Sequence, residues 1–494
     1  MPNDRSIHYE QKDQSYFEKR GLRKYAGVWS LWALGVGAVI SGHYSGWNLG
    51  LSIGGWGGMF IATIVIALMY LGLTFCIAEM SPALPHTGAA YSFARTSMGP
   101  WGGFITGLCE NVEYVLTPSV IVFFIGTYLT SIFGTPVEFQ PVWWIIGYII
   151  FVSLNVWGVE LSFKVTLGVT LSALTVLMVF WFSAFPKIDF TAWAMNIGQG
   201  GELLEGGGGP FLPMGISGVL AALPFAVWLF LAIEQLPLAA EESVDPKKDM
   251  PKGIILGMIT LIISAFMILF LNPSLPGVGS YALGQSGDPL LDGFEAIFGS
   301  HIAKVLAFIA IIGLISSFHT IIFAQGRQIY SLSRAGYFPT FLSLTHSKRQ
   351  TPHVAMAAGA LTGLIIMIVL FYGRGAEKGS TIIGGTLLNM AVFGAMCSYI
   401  AQAISFILLR RNHAHIERPY RSPMGKTGAW ITILIALVTI YYQLSDNTYR
   451  IGVLGVATWF ALGIAYFAFV GRHKLILSAE EEFALEAKKN TANR

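Results

Sequence analysis

Two acids stand one helical turn apart in CENVEY, Glu110 and Glu113, inside an apolar run that begins near Trp101. That spacing puts both carboxyls on one face of a helix, with Tyr114 beside Glu110. A third acid, Glu234, lies in FAVWLFLAIEQLPLAAEE, Phe225 to Glu242, again among apolar residues. Ionisable groups in such runs are costly, and they either line a ligand pathway or bond polar groups of neighbouring helices. Carboxylates beside aromatic faces suit a cation stripped of its water, and Trp228 and Phe230 are candidate faces here, or else ordinary packing rings. Two nearby carboxylates need not both be ionised, so one of them can hold a proton.

The second constellation is GVGAVISGHYSGWN, Gly35 to Asn48, which interrupts an apolar run from Val28 to Ile53. A broken helix leaves backbone groups unpaired at several kcal/mol each in lipid, so a break is expected only where it lines a cavity or a ligand. Gly35, Gly37 and Gly46 read as a close-packing face. Ser41, Gly42, His43 and Tyr44, with the Glu234 segment, read as a binding site. His43 either meets a substrate hydroxyl or satisfies the broken backbone.

These residues need membrane helices to position them. The chain has 494 residues, 54% of them hydrophobic and 12% charged, which is far more apolar than a soluble domain. Apolar runs of spanning length begin near Val28, Gly58, Trp101, Val142, Phe163, Met214, Gly253, Ile302, Pro352, Thr381, Gly428 and Ile451. The expectation is an all-α polytopic membrane protein with twelve transmembrane helices, helices 1 and 6 discontinuous. With the amino terminus inside, only Lys187, Lys304, Arg374, Lys378 and Arg450 of the 30 Lys and Arg residues fall outside. That asymmetry places both termini in the cytoplasm. The polar first residues give no cleavable signal peptide.

The expected organisation is a cytoplasmic segment 1–26, a membrane domain 27–472 and a cytoplasmic tail 473–494. Five spans separate the two breaks, so the second set is inverted relative to the first; the repeats are taken as 27–185 and 214–411, with extra helices over 427–472. The outer EGGGGP, Glu205 to Pro210, reads as a flexible connector and the tail as a short solvated helix.

Several function classes are excluded. A net charge of +3 without a basic cluster argues against nucleic acid as a partner. Cys76, Cys109 and Cys397 have no metal-ligand spacing, so no metal site is expected. HExxH and a nucleophile elbow are missing, and GKT at Gly425–Thr427 lacks the glycines of a phosphate loop, which disfavours an enzyme or an ATP-driven pump. A channel needs a continuous polar pore, whereas polarity here is confined to the two breaks and the third span.

The chain resembles the amino acid, polyamine and organocation permeases. The likeness is carried by Glu79, Pro85, Gly88 and Tyr91 after the second span; Glu241, Glu242, Asp245, Pro246 and Pro251 after the sixth; Arg327, Tyr330, Arg334, Gly336 and Pro339 after the eighth; and Arg418, Pro419 and Pro423 before the eleventh. Within the superfamily it looks most like ethanolamine permeases, through ISGHYSGWNLGL, CENVEYVLTP and SFHTIIFAQGRQIYSLSRAGYFP.

The resemblance implies a LeuT-like fold of two inverted five-helix repeats plus two helices. It also implies secondary active import of a small organic amine, ethanolamine above all, across the cytoplasmic (inner) membrane by alternating access, without a cofactor. An amino-acid or small-polyamine permease is the alternative. In the wider family, amides at the first break receive the substrate carboxylate. Here Ser41, Gly42 and His43 occupy that run, which favours a substrate lacking a carboxylate. An acid often stands where this chain has His43, and Glu234 matches a position often acidic whatever the substrate. Ser316 and Ser317, with His319 nearby, are the coupling candidates, because the serines fall where sodium-coupled relatives bind their ion. The fifth-span lysine of some proton-coupled relatives is replaced near Ser172 or Ala173, so proton, sodium and facilitated transport all stay open.

Overall fold

The computed structural model describes residues 7–12, 16, 19, 22, 24–86, 88–376, 380–478 and 481–486; Lys378 and the last tail residues lie outside them. Among these, eleven helices are long and apolar enough to cross a membrane, and the shorter apolar Val28–His43 adds the start of another span. The helices are α1 (Val28–Val39), α2 (Leu49–Ala83), α3 (Ala89–Phe133), α4 (Gln140–Trp157), α5 (Val159–Ala184), α6 (Gly215–Trp228), α7 (Pro246–Leu271), α8 (Gly279–Leu283), α9 (Pro289–Phe298), α10 (Ser300–Arg334), α11 (His353–Arg374), α12 (Gly385–Asn412), α13 (Gly425–Ser445) and α14 (Arg450–Phe469).

Two long helices are each divided by one glycine. Gly55 has φ +67 inside α2, so residues 49–54 finish the first span and the second starts after it. Gly99 has φ +82 inside α3 and separates a lead helix from the third span. Only glycine takes these left-handed values without strain.

Large apolar side chains such as Phe182 and Phe469 are about four-fifths exposed on the outside, while Glu110, Glu113, His43, Gln325 and Arg327 are buried. An apolar exterior around a polar interior is the pattern that lipid as solvent selects. The fold is all-α, polytopic and LeuT-like, with α1 and α6 as the two discontinuous helices.

Those two helices run antiparallel. The Tyr25 amide, just before α1, donates to Glu242 O at the far end of the α6 span at 2.8 Å. Their breaks meet in between, where a Cβ on Gly42 would collide with the Trp228 carbonyl. The face holding residue 25 also carries a two-strand parallel ribbon, β1 (Tyr9–Glu10) with β2 (Leu475–Ile476). It is called the terminal face below.

Two expectations about connecting segments are corrected. The glycine-rich outer segment is pinned: Gly208 donates to Thr191 O at 2.9 Å and Gly209 to Met195 O at 2.7 Å. Gly207 and Gly208 sit at φ +68 and +69, with the Gly207 Cα against Ala192. The glycines allow close approach to the turn over 190–195 and do not serve as slack. The tail helix over 481–486 is docked rather than solvated, with Glu481 and Ala484 buried and Phe483 edge-on to His86 at 5.5 Å.

Candidate functional site

The first break runs from a 3₁₀ turn, Ile40–His43, through turns to Asn48. Its freed backbone groups are taken by neighbouring side chains. Ser317 Oγ on α10 accepts from the Ser41 amide at 2.8 Å and donates to Gly37 O at 2.6 Å. The Gly46 amide donates to Asn48 Oδ1 at 3.0 Å, and Asn48 Nδ2 donates to Leu283 O at 2.6 Å and Ser286 O at 2.9 Å.

The second break lies at 229–232, between the end of α6 and a 3₁₀ segment, Ile233–Glu242. Ala232 has φ +85, a left-handed value that is uncommon for a residue with a Cβ. Its amide donates to Glu234 Oε2 at 3.1 Å. Gln235 Nε2 reaches Leu34 O on α1 at 3.3 Å.

Side chains bind the two breaks to one another. Trp228 Nε1 donates to Ser45 O at 3.0 Å. His43 Nε2 lies 3.0 Å from Leu229 O, and its Nδ1 lies 2.7 Å from Ser264 Oγ on α7. A carbonyl can only accept, so Nε2 carries the ring proton and Nδ1 accepts from Ser264. Both His43 nitrogens are therefore occupied by protein groups.

The acids gather beside this junction. Glu110, Glu113 and Glu234 are all buried, and the Glu113 and Glu234 carboxyls face each other within hydrogen-bonding contact. Tyr114 and Gln328 sit beside Glu110, and Tyr399 beside Glu113. None of these contacts closes into a well-aligned bond, and both oxygens of Glu110 and of Glu113, one of Glu234 and the Tyr114 hydroxyl are left without a partner. Tyr70 and Tyr399 pair through their hydroxyls at 3.0 Å, and the Tyr70 ring lies 5.6 Å from Phe230. The named partners of the acids include no cation. An unpartnered buried carboxylate is costly, so a group of this kind is organised for something that supplies donors or positive charge.

Other candidate residues fall elsewhere. The Tyr44 hydroxyl donates to Ala173 O on α5 at 2.6 Å, and its ring packs on Gly313. Ser316 bonds Thr170 at 3.0 Å, and Thr170 in turn donates to Ala33 O at 3.1 Å. His319 turns away from the breaks towards α4 and α5, with Nδ1 3.0 Å from Asn155 Nδ2 and Nε2 3.3 Å from Ser162 Oγ.

Sequence reasoning missed Tyr70, Tyr399 and Gln328 around the acids. Their only signal is polarity within an apolar run.

The terminal face collects the motif residues as ion pairs. Arg327 meets Glu242 at 2.8 Å with both side chains inaccessible, and Arg334 meets Glu241 at 2.7 Å. Glu79 accepts from Arg410 Nε at 2.9 Å, lies 3.2 Å from Arg418 Nε, and accepts from the Ser422 amide at 2.8 Å. Glu481, from the tail, takes Arg95 together with the hydroxyls of Tyr9, Tyr91 and Tyr337.

Two broken helices meeting inside a lipid-facing bundle, with polar groups gathered at the breaks, define a membrane transporter rather than an enzyme. The amino acid permease model matches residues 27–469, and the chain belongs to that family, within the amino acid, polyamine and organocation superfamily.

Curated relatives agree on transport and differ in cargo. The chain is 23% identical to a methylthioribose transporter of Bacillus subtilis over 93% of this chain and 96% of the relative. It is 24% identical to a branched-chain amino acid permease of the same organism over 92% and 95%. It is 25% identical to a D-serine/D-alanine/glycine transporter of Escherichia coli over 89% and 92%. The protein is thus an integral membrane transporter of small organic substrates.

Proposed function

We propose that the chain imports a small organic amine, ethanolamine foremost, across the cytoplasmic membrane by alternating access, with both termini inside. The observation that carries this reading is the group of three buried acids with unpartnered oxygens, rimmed by Tyr70, Tyr114, Tyr399 and Phe230. A primary ammonium has three donors and one positive charge, which is what such oxygens lack, and the rings offer it cation–π faces.

The state of the first break supports a substrate without a carboxylate. The Ser41 amide donates to Ser317 Oγ and the Trp228 carbonyl closes on Gly42, so one amide of the run is engaged and a carbonyl oxygen, which repels an anion, lies against it. In this reading Glu110, Glu113, Tyr114, Phe230 and Glu234 contact the substrate. Trp228, Ser41, Gly42 and His43 hold the two breaks in register, and Tyr44 fixes α1 to α5. Ser316 and Ser317 serve first as helix ties, and His319 stays outside the pathway.

An amino-acid or small-polyamine permease is the second reading, favoured by the names of two of the relatives. Uptake of labelled ethanolamine into proteoliposomes, challenged with unlabelled amines and amino acids, separates the two. Saturable uptake suppressed at least tenfold by unlabelled ethanolamine is expected. Strong competition by an amino acid with none by ethanolamine overturns the substrate assignment.

A further inference from the structure

Glu113 and Glu234 come from different helices and meet carboxyl to carboxyl away from water. Two ionised carboxylates have no donor between them and repel, whereas one shared proton turns the same contact into a short, charge-assisted bond. The groups facing them do not relieve the charge. From α3 come Glu110, Tyr114 and Cys109; from α2, Tyr70; from α12, Tyr399, with the free thiol of Cys397 in hydrogen-bonding contact with that of Cys109; and from α10, Gln328, whose amide already donates to Gly107 O at 3.3 Å. Arg327 on α10 is engaged by Glu242.

We propose that Glu113 and Glu234 share one proton in the substrate-free protein, and that an entering ammonium displaces it, so that each amine carried is exchanged for a proton. This rests on the reading that the acids receive the amine. The O–H bond of the shared carboxylic acid breaks, its proton leaves to water on the side the amine came from, and the freed carboxylate keeps the electron pair and accepts from the ammonium. When the amine departs on the other side, water there returns a proton to the pair. The pair with a proton and the pair with an ammonium have equal net charge, so the site never passes through a bare double negative charge. One positive charge moves each way, and the exchange is electroneutral, so import runs down the amine's own inward gradient and carries one proton out per amine.

Infrared difference spectra of the purified full chain at neutral pH, wild type minus Glu113→Gln and wild type minus Glu234→Gln, test the shared proton without any substrate. The carbonyl stretch of a buried carboxylic acid is expected in the wild type and lost in both variants. If only one variant purifies as a monodisperse protein, that one decides. No such band in the wild type, or a band that survives the substitution, overturns the proposal.

Calorimetric titration with ethanolamine in two buffers of different ionisation enthalpy then counts the protons exchanged, with about one released per ethanolamine bound. Heats independent of buffer overturn the exchange and leave the substrate assignment standing. Absence of ethanolamine binding overturns the substrate assignment instead, and the infrared band then decides the shared proton by itself.

Discussion

Both nitrogens of His43 are occupied, by Leu229 O and by Ser264 Oγ, so its loss should be felt in stability before affinity. His43→Ala is expected to destabilise the protein by about 1–3 kcal/mol, because it orphans two buried groups. Thermal unfolding in detergent reads this, and ethanolamine affinity in the folded fraction should stay within about threefold, under 1 kcal/mol; a larger loss would make His43 a ligand. Gly42→Ala should behave in the opposite way, since the added methyl meets the Trp228 carbonyl. Uptake is expected to fall at least tenfold at equal membrane abundance. Glu110 and Glu113 were legible in the sequence because acids stand out in an apolar run. Tyr70 and Tyr399 were not, because tyrosines are ordinary in spans and only the packing of α2 and α12 brings them together. The orientation of His319 was hidden for the same reason: one helix in isolation does not say which of its faces meets α4 and α5.

The first break depends on a serine from another helix. Ser317→Ala removes the partner of both the Ser41 amide and Gly37 O and should cost about 1–3 kcal/mol in thermal stability. Faster backbone hydrogen exchange over 37–41 is the accompanying local sign. Both breaks were visible from glycine, serine, proline and acid within apolar runs. The second centres on 229–232, where the left-handed turn falls at Ala232, a residue with no local signature for it. The loop carrying α8 and α9 supplies a pH test outside the membrane spans. There Asp292 is pushed up to about 6, by burial first and then by Asp288 and Glu295 beside it, against a hydrogen bond with Ser286. Its folded form holds the proton more tightly than the unfolded chain does, so this contribution to stability is present in acid and is lost as pH rises to about 6. The melting temperature of Asp292→Asn should accordingly fall less steeply than that of wild type between about pH 4 and 6.

Across the whole molecule, chemistry divides by depth. The motifs that mark the family, around Glu79, Glu241, Glu242, Arg327, Arg334 and Arg418, form ion pairs on the terminal face, while the acids that suit a cation lie deeper. This explains why family membership was easy to read from sequence and cargo was not: the residues shared in a recognisable pattern close a face and do not touch the proposed ligand. Glu481→Ala leaves Arg95 buried without its carboxylate and is expected to destabilise the protein by about 3–5 kcal/mol. Thermal unfolding measures the loss, and hydrogen exchange should rise over 89–98, the lead helix that holds Arg95.

That same carboxylate arrives late. A ribosome makes residue 95 long before residue 481, so every helix of the bundle has been threaded into the bilayer while the Arg95 guanidinium still waits for its counter-ion. Completion of that corner therefore reports that synthesis has passed residue 481, and a nascent chain stalled before it would display the Arg95 guanidinium without its carboxylate to whatever quality-control machinery surveys the membrane.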